Sequence, residues 1–508
     1  MRIPGGVRAV LIGLSILSMT ACAAPRSSTP VAEGAAAPAP ATVTKRSASD
    51  QRIGDENHKK IVAKYGGIYQ NARVTDYVNQ LGRKLAAVSE QPGEKWTFTV
   101  LNSPTVNAFA LPGGYVYVTR GLLALANSEA ELAGVIGHEI GHVTAGHGAL
   151  RQERAGIAQL GIGLGAIGLA VLGVDPQLAQ GVLQAGQVAA GGVLADYSRS
   201  DELAADTLGI RYLARSGYDP YAQADFLESM SASAALDAKM KGRGYNPNQT
   251  DFFASHPATG PRTRQAIETA RAAGAAIPVG ANRNEAAFLK IVDGIAFGDT
   301  AEQGFVRGQT FSHPKLGFTY TAPKGFRITN TSSAVLADGP NGARFVLDGA
   351  RDPGGRLSTY LSRTWVPQIA KSVRVGRLSR VQDRTLNGLP AAVGYLPVEI
   401  NGRRFNAMLV AVRLGGSLYR MTGFAQPSAG LMPSIEQAAE SFRRLSAGEK
   451  RTLRETRIDV VTVKRGDTVE SLARRMNVDA FALDRFRVLN GLQSGETLRA
   501  GQRVKLVQ

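Results

Sequence analysis

The chain has one cysteine, Cys22, in 508 residues, so no disulfide framework can brace it and its stability must come from apolar cores. Acidic residues are also short, 41 against 59 basic ones, which leaves a formal charge of +18. Long uncharged runs are few. One spans Val10 to Met19 and another Ile157 to Val174, where Gly161, Gly163, Gly165, Gly168 and Gly173 interrupt a stretch of near membrane-span length. That many glycines weaken it as an autonomous helix.

The first apolar run follows Arg2 and Arg8 and precedes small residues, the pattern of a secretory signal and not of a structural helix. Cys22 sits directly after Met19-Thr20-Ala21, which looks like a bacterial lipobox with Met where Leu is usual. Residues 1–22 are read as a lipoprotein signal peptide with Cys22 as the acylated residue. The competing reading is an A-x-A cleavage at Ala21-Cys22-Ala23. Residues 23–50, rich in Ala, Pro, Ser and Thr, suit a flexible tether. Ala23 in place of Asp resembles lipoproteins sorted to the outer membrane of a Gram-negative cell, so the expected location is the periplasm, anchored to that membrane by lipid. Losing Arg2 and Arg8 with the signal lowers the charge from +18 to +16. Secretion argues against nucleic acid as its partner and favours anionic envelope surfaces.

The chemistry is concentrated in His138-Glu139-Ile140-Gly141-His142. On a helix, positions i and i+4 share a face, so both imidazoles reach one metal while Glu139 stands beside its open position. This is the zincin pattern H-E-x-x-H. Ser128-Glu129-Ala130-Glu131 reads as a capping box, and Leu132, Val135, Ile136, Ile140 and Val143 recur at helical spacing, which predicts a buried amphipathic helix. Burying two histidines and a glutamate without a metal would strand polar groups. The metzincin extension fails, because Ala145 and Gly148 occupy its positions. His147 points to another face and is read as a surface or supporting residue.

A further ligand must come from another helix. Tyr197-Ser198-Arg199-Ser200-Asp201-Glu202-Leu203-Ala204-Ala205-Asp206 presents Glu202 and Asp206 at i,i+4. One acid can bind metal while the other holds a histidine's outer N–H, and Ala204 and Ala205 permit close helix approach. H-E-x-G-H followed by S-R-x-x-E-x-x-A-D resembles the HtpX-like and CAAX-prenyl-protease-like zinc metallopeptidases. The resemblance extends to Asn107–Val118, with a turn at Pro112-Gly113-Gly114 feeding an alternating strand, and to Ser255-His256-Pro257 with Arg262 beyond. It covers roughly residues 51–270. It implies one Zn²⁺ per chain held by His138, His142 and Glu202, with Asp201 as the rival carboxylate. It further implies Glu139 as general base, Asp206 and Arg262 as supporting residues, and His256 as a group that blocks or tunes the site or stabilises an oxyanion. The strand edge would pair with an extended substrate.

The expected fold class is α+β. A mainly helical zincin peptidase domain with a short edge-strand sheet spans 51–275, and a helical connector spans 276–305. Between the metal motifs, the glycine-rich run, an Asp175-Pro176 break and a second apolar stretch to Leu194 predict a helical hairpin near the cleft, a lid or membrane-contacting element. A transmembrane hairpin is the rival. Residues 306–447 alternate strand-like runs with turns and weakly resemble α/β sandwich domains of the PsbP type, with no catalytic constellation. His313 is read as structural. Residues 455–508, from Val463-Lys464-Arg465-Gly466-Asp467-Thr468 to Arg503-Val504-Lys505-Leu506, resemble a βααβ LysM module, which implies affinity for peptidoglycan.

The expected function is zinc-dependent endopeptidase action in the bacterial envelope on extended or misfolded polypeptides, outer-membrane proteins foremost. The rivals are a chaperone or assembly factor with a latent protease, a wall-binding structural lipoprotein, and a peptidoglycan-cleaving peptidase.

Overall fold

The computed structural model describes residues 46–148, 197–242, 244–245, 256, 260–273, 282–400 and 402–508. The signal, Cys22, most of the tether and the 157–194 hairpin lie outside the described residues. Among the described residues no helix is long and apolar enough to cross a membrane.

The chain opens with α1 (Ala48–Lys64), capped by a reciprocal Ser47–Asp50 box, and α2 (Ala72–Ala87). The last residues of the expected tether are therefore structured. Arg46 lies over the Trp96 ring at 4.0 Å and donates to Gln91, so the folded unit starts a few residues before position 51. Three strands follow, β1 (Thr97–Leu101), β2 (Ala108–Leu111) and β3 (Tyr115–Thr119), in the order β1-β3-β2. The expected substrate edge was the strand after the Pro-Gly-Gly turn. That strand, β3, is instead central and wholly buried, because β1 pairs with one side and β2 with the other. Among the described residues no strand pairs with the outer side of β2.

The short α3 (Arg120–Leu125) leads into α4 (Glu129–Thr144), the motif helix, and α5 (Arg199–Arg215) and α6 (Ala222–Met240) pack on it. Next come α7 (Gly260–Ala273), α8 (Glu285–Val292) and a two-residue strand, β4 (Ala296–Phe297). The connector is thus only partly helical and ends in a strand, which pairs with β5 (Thr456–Thr462) near the C-terminus. Around β5 lie α9 (Val469–Ala473), capped by Thr468, α10 (Ala482–Leu489) and β6 (Arg503–Val507), antiparallel to β5. This is the expected βααβ order.

Between β4 and β5 sits a sheet domain. Long antiparallel strands Leu389–Ile400, Arg403–Leu414 and Ser417–Ala425 form the middle of an eight-stranded sheet. Alternating side chains feed two cores. One packs under Met432–Glu440 and a four-stranded sheet, and the other under the helical stretch around Trp365.

Candidate metal centre

The motif helix is fixed at its start. Ser128 Oγ accepts the Glu131 N–H at 3.1 Å, but Glu131 reaches back to the Asn127 N–H at 2.9 Å, one residue before the one a reciprocal box requires. Burial raises the Glu131 carboxyl, and the Asn127 N–H and the charge of Lys505 oppose that shift. The second helix approaches unusually closely through small residues. A Cβ on Gly209 would lie 2.8 Å from the His138 backbone nitrogen, and one on Gly141 would lie 3.1 Å from the Ala205 carbonyl oxygen. Ala205 and Gly209 of α5 against Gly137 and Gly141 of α4 therefore set the helix spacing, whereas Ala204 is only half-buried.

This approach brings His138, His142, Glu202 and His256 together, with one donor atom from each within 4.8 Å of the others. His138 Nε2 is 3.0 Å from His142 Nε2, and His142 Nε2 is 3.3 Å from Glu202 Oε1. His256 Nδ1 lies 2.8 Å from Glu202 Oε1 and 3.3 Å from His138 Nε2. Two zinc bonds of about 2.0–2.1 Å at a tetrahedral angle separate their donor atoms by about 3.3 Å, so the spacing and the N/O donor set fit that ion. Glu139 Oε2 is buried and finds no hydrogen-bond partner among the described residues, and His256 Nε2, also buried and without a hydrogen bond, lies 3.5 Å from Glu139 Oε1. Unpartnered buried polar atoms of this kind mark a group that belongs between them.

The supporting residues are organised by charge. Asp206 Oδ1 lies 2.9 Å from His138 Nδ1, and Arg262 clamps Asp206 through Nε at 2.9 Å and Nη2 at 2.8 Å. Arg262 also reaches Glu202 Oε2 at 2.6 Å. Burial would raise both carboxyls. His256 and Arg262 nevertheless hold Glu202 well below the usual range, and Arg262 and His138 do so for Asp206. Both are therefore anionic. Burial drives His142 well down, favouring the neutral imidazole a metal needs. Burial also opposes charge on His256, but the carboxylates of Glu202 and Glu139 outweigh it and raise that histidine. Asp201, the rival carboxylate, caps its own helix instead, accepting the Ser198 N–H.

The comparisons with known proteins agree. Residues 72–270 match the model of peptidase family M48, and residues 461–507 match the LysM domain. The mitochondrial metalloendopeptidase OMA1 of Schizosaccharomyces pombe is 28% identical over 43% of this chain and 60% of its own length. The beta-barrel assembly-enhancing protease of Escherichia coli strain K12 is 33% identical over 33% of this chain, but the chain spans only 34% of that protein. The metalloprotease YcaL of the same organism is 32% identical over 36% of this chain and 68% of its own length. The chain belongs to peptidase family M48.

Two contributors to the M48 centre, Tyr197 and Gln223, were missed from sequence, and of the two readings of His147 the structure takes the supporting one. His147 is not at the surface. It is buried, and its Nδ1 lies 2.9 Å from His142 Nδ1, on the side away from the metal position. The helix ends at Thr144, and Gly146 adopts a positive φ, so His147 turns back onto the face that helical spacing denied it. Tyr197 stacks on His142 with centroids 3.7 Å apart. Gln223 of α6 donates to Asp206 at 3.1 Å. Nothing in local sequence marks Gln223. Leu122, Val135, Phe226, Leu227 and Met230 line a small apolar cavity beside Glu139, about 30 Å³ in volume.

Proposed function

We propose that this protein is a zinc endopeptidase of the bacterial envelope that cuts extended or misfolded polypeptides, outer-membrane proteins foremost. The observation that carries this reading is the convergence of His138, His142 and Glu202 beside a buried Glu139 oxygen that has no hydrogen-bond partner among the described residues. These three side chains would hold the metal, which when bound supplies Lewis acidity toward a carbonyl and toward water. Glu139 takes a proton from water and delivers it to the leaving amine. Asp206, locked by Arg262, keeps His138 in the tautomer that offers Nε2, and His147 does the same for His142. The outer edge of β2 offers backbone groups to an extended chain, and the cavity beside Glu139, about 30 Å³, has room for a small side chain only. Glu139→Gln should keep zinc and fold yet abolish cleavage of β-casein. Normal turnover in that variant would sink the mechanism.

His256 favours a second reading, an assembly factor whose protease is latent. Its Nδ1 sits among the other donors, where a fourth protein donor competes with water. The signal and Cys22 support an outer-membrane lipid anchor, and the LysM module supports peptidoglycan as a second partner.

A further inference from the structure

The segment before β2, helix α3 and helix α6 line two cavities in succession. The first is the pocket beside Glu139, with Asn107, Leu122 and α6 residues up to Met230. The second has a volume of about 250 Å³ and is walled by Val106, Ala124, Leu236 and Met240, with Val488 and Leu489 of the LysM module closing it. On α6 the first ends at Met230 and the second begins at Ser233, and from Met230 to Met240 the helix rises about 15 Å. A chain antiparallel to β2 and leaving the first pocket on its C-terminal side passes Asn107 and Val106 toward the second within a few residues.

Three exposed large apolar side chains lie on these elements, Met240 on the cavity wall and Phe481 and Leu483 where the chain enters α10. Met240 is 36% exposed, Phe481 38% and Leu483 40%. Phe481 and Leu483 belong to the LysM module. They are held beside α6 by the Lys239–Asp484 ion pair at 2.9 Å, and Lys239 also lies over the Phe481 ring. Phe481 has φ +56°, a left-handed backbone that a bulky residue adopts at a cost. Its ring meets the Lys239 ammonium 5.6 Å from the centroid, and over a third of the residue stays exposed. Arg485 lines the same cavity, donates only to Ala480 O and forms no ion pair among the described residues. Its remaining N–H groups are available to main-chain carbonyls.

We infer that this cavity and its rim form an exosite for an apolar stretch of the polypeptide substrate, built jointly by the peptidase and the LysM module. The inference rests on the peptidase reading above. A dry cavity of about 150 Å³ holds benzene, so the larger volume here takes an aromatic side chain or two aliphatic ones. Arg485 holds the neighbouring backbone, and Phe481 covers the bound residue. The LysM module thereby selects substrate in addition to any glycan it binds.

The test uses the zinc-loaded full chain with Glu139→Gln, so that substrate is bound without turnover. Fluorescein-labelled β-casein is titrated by anisotropy against this parent, against Phe481→Asn and against Ser233→Phe. Asn accepts the left-handed backbone more readily than Phe, so the first variant keeps or gains thermal stability and its affinity loss is not unfolding. The second fills the cavity from α6. Each should weaken β-casein about fivefold or more at unchanged zinc content. Unchanged affinity in both variants, or no binding by the parent, overturns the exosite. Self-association of the parent that Phe481→Asn abolishes, with β-casein affinity intact, assigns the surface to a second copy and also overturns it. Wild-type protein that binds β-casein, loses that binding in the variants and never cleaves it supports the exosite while removing the peptidase reading.

Discussion

The LysM module and the sheet domain are neighbours in sequence but relate to the peptidase in opposite ways. Ile458, Val469, Leu472, Phe486, Val504 and Leu506 of the LysM module share one continuous core with Val118, Leu132, Ile136 and Phe226 of the peptidase. The sheet domain contributes nothing to that core and keeps two of its own. Lys505 shows how deep the first junction goes. It is fully buried and donates to the carbonyls of Ala124, Leu125 and Ala126 at 2.7, 3.1 and 2.7 Å. Three acceptors match the three N–H groups of an ammonium, so the lysine caps the C-terminal end of α3 as a cation, although burial pulls its pKa down. The module nearest the chain's end is structurally part of the catalytic unit, and the domain before it is an insertion.

The buried charge clusters at Arg420 and at Glu139 differ in the same instructive way. In the sheet domain Arg420 and Asp348 form two bonds, 2.8 and 2.7 Å, beneath Trp365, and each carboxylate oxygen is used. In the peptidase, among the described residues, Glu139 Oε2 has no hydrogen-bond partner, and His256 Nε2 has only the Glu139 Oε1 atom 3.5 Å away. A closed pair stabilises or specifies a fold. An open one waits for a ligand.

The sharpest way to break this comparison is truncation. Deleting residues 456–508 should abolish cooperative unfolding and zinc binding by the peptidase. Excising 304–453 with a short Gly-Ser bridge should leave one zinc per chain, because Ala301 N already lies 3.2 Å from Glu455 Oε1 across the insertion. The reverse pattern, read by circular dichroism and elemental analysis, would end the distinction. Arg420→Met strands a buried carboxylate and should cost the sheet domain about 3–5 kcal/mol in urea unfolding, with zinc content unchanged. Lys505→Met should cost about 2–3 kcal/mol and act instead on the peptidase transition. A loss confined to the LysM fluorescence signal would show that the junction is looser than its contacts. Asp206→Asn is the mildest change. It should weaken zinc about 10- to 100-fold in chelator competition while leaving the sheet-domain transition in place.

Much of this was legible locally. Two histidines at i,i+4 with an intervening glutamate, a second helix with acids at i,i+4, and turn signals at Gly466-Asp467 are short-range patterns that helix and turn geometry translate directly. The βααβ order and the strand-and-turn character of residues 306–447 were readable for the same reason. Other features depend on groups far apart in sequence. That β2 and not β3 carries the outer edge follows from β1 returning to pair with β3. His147 supports His142 because the helix stops at Thr144 and Gly146 reverses the chain.

The sequence by itself determined the H-E-x-x-H helix, the second helix with its acids at i,i+4 and the order of modules, since each is a matter of residue type and near spacing. Only the tertiary structure decided that Gln223 and Arg262 lock Asp206, that Lys505 ties the last strand to α3, and that β4 and β5 close around an inserted domain. Those contacts join residues 17, 56 and about 380 positions apart, and no local pattern records which distant partner a buried charge will find.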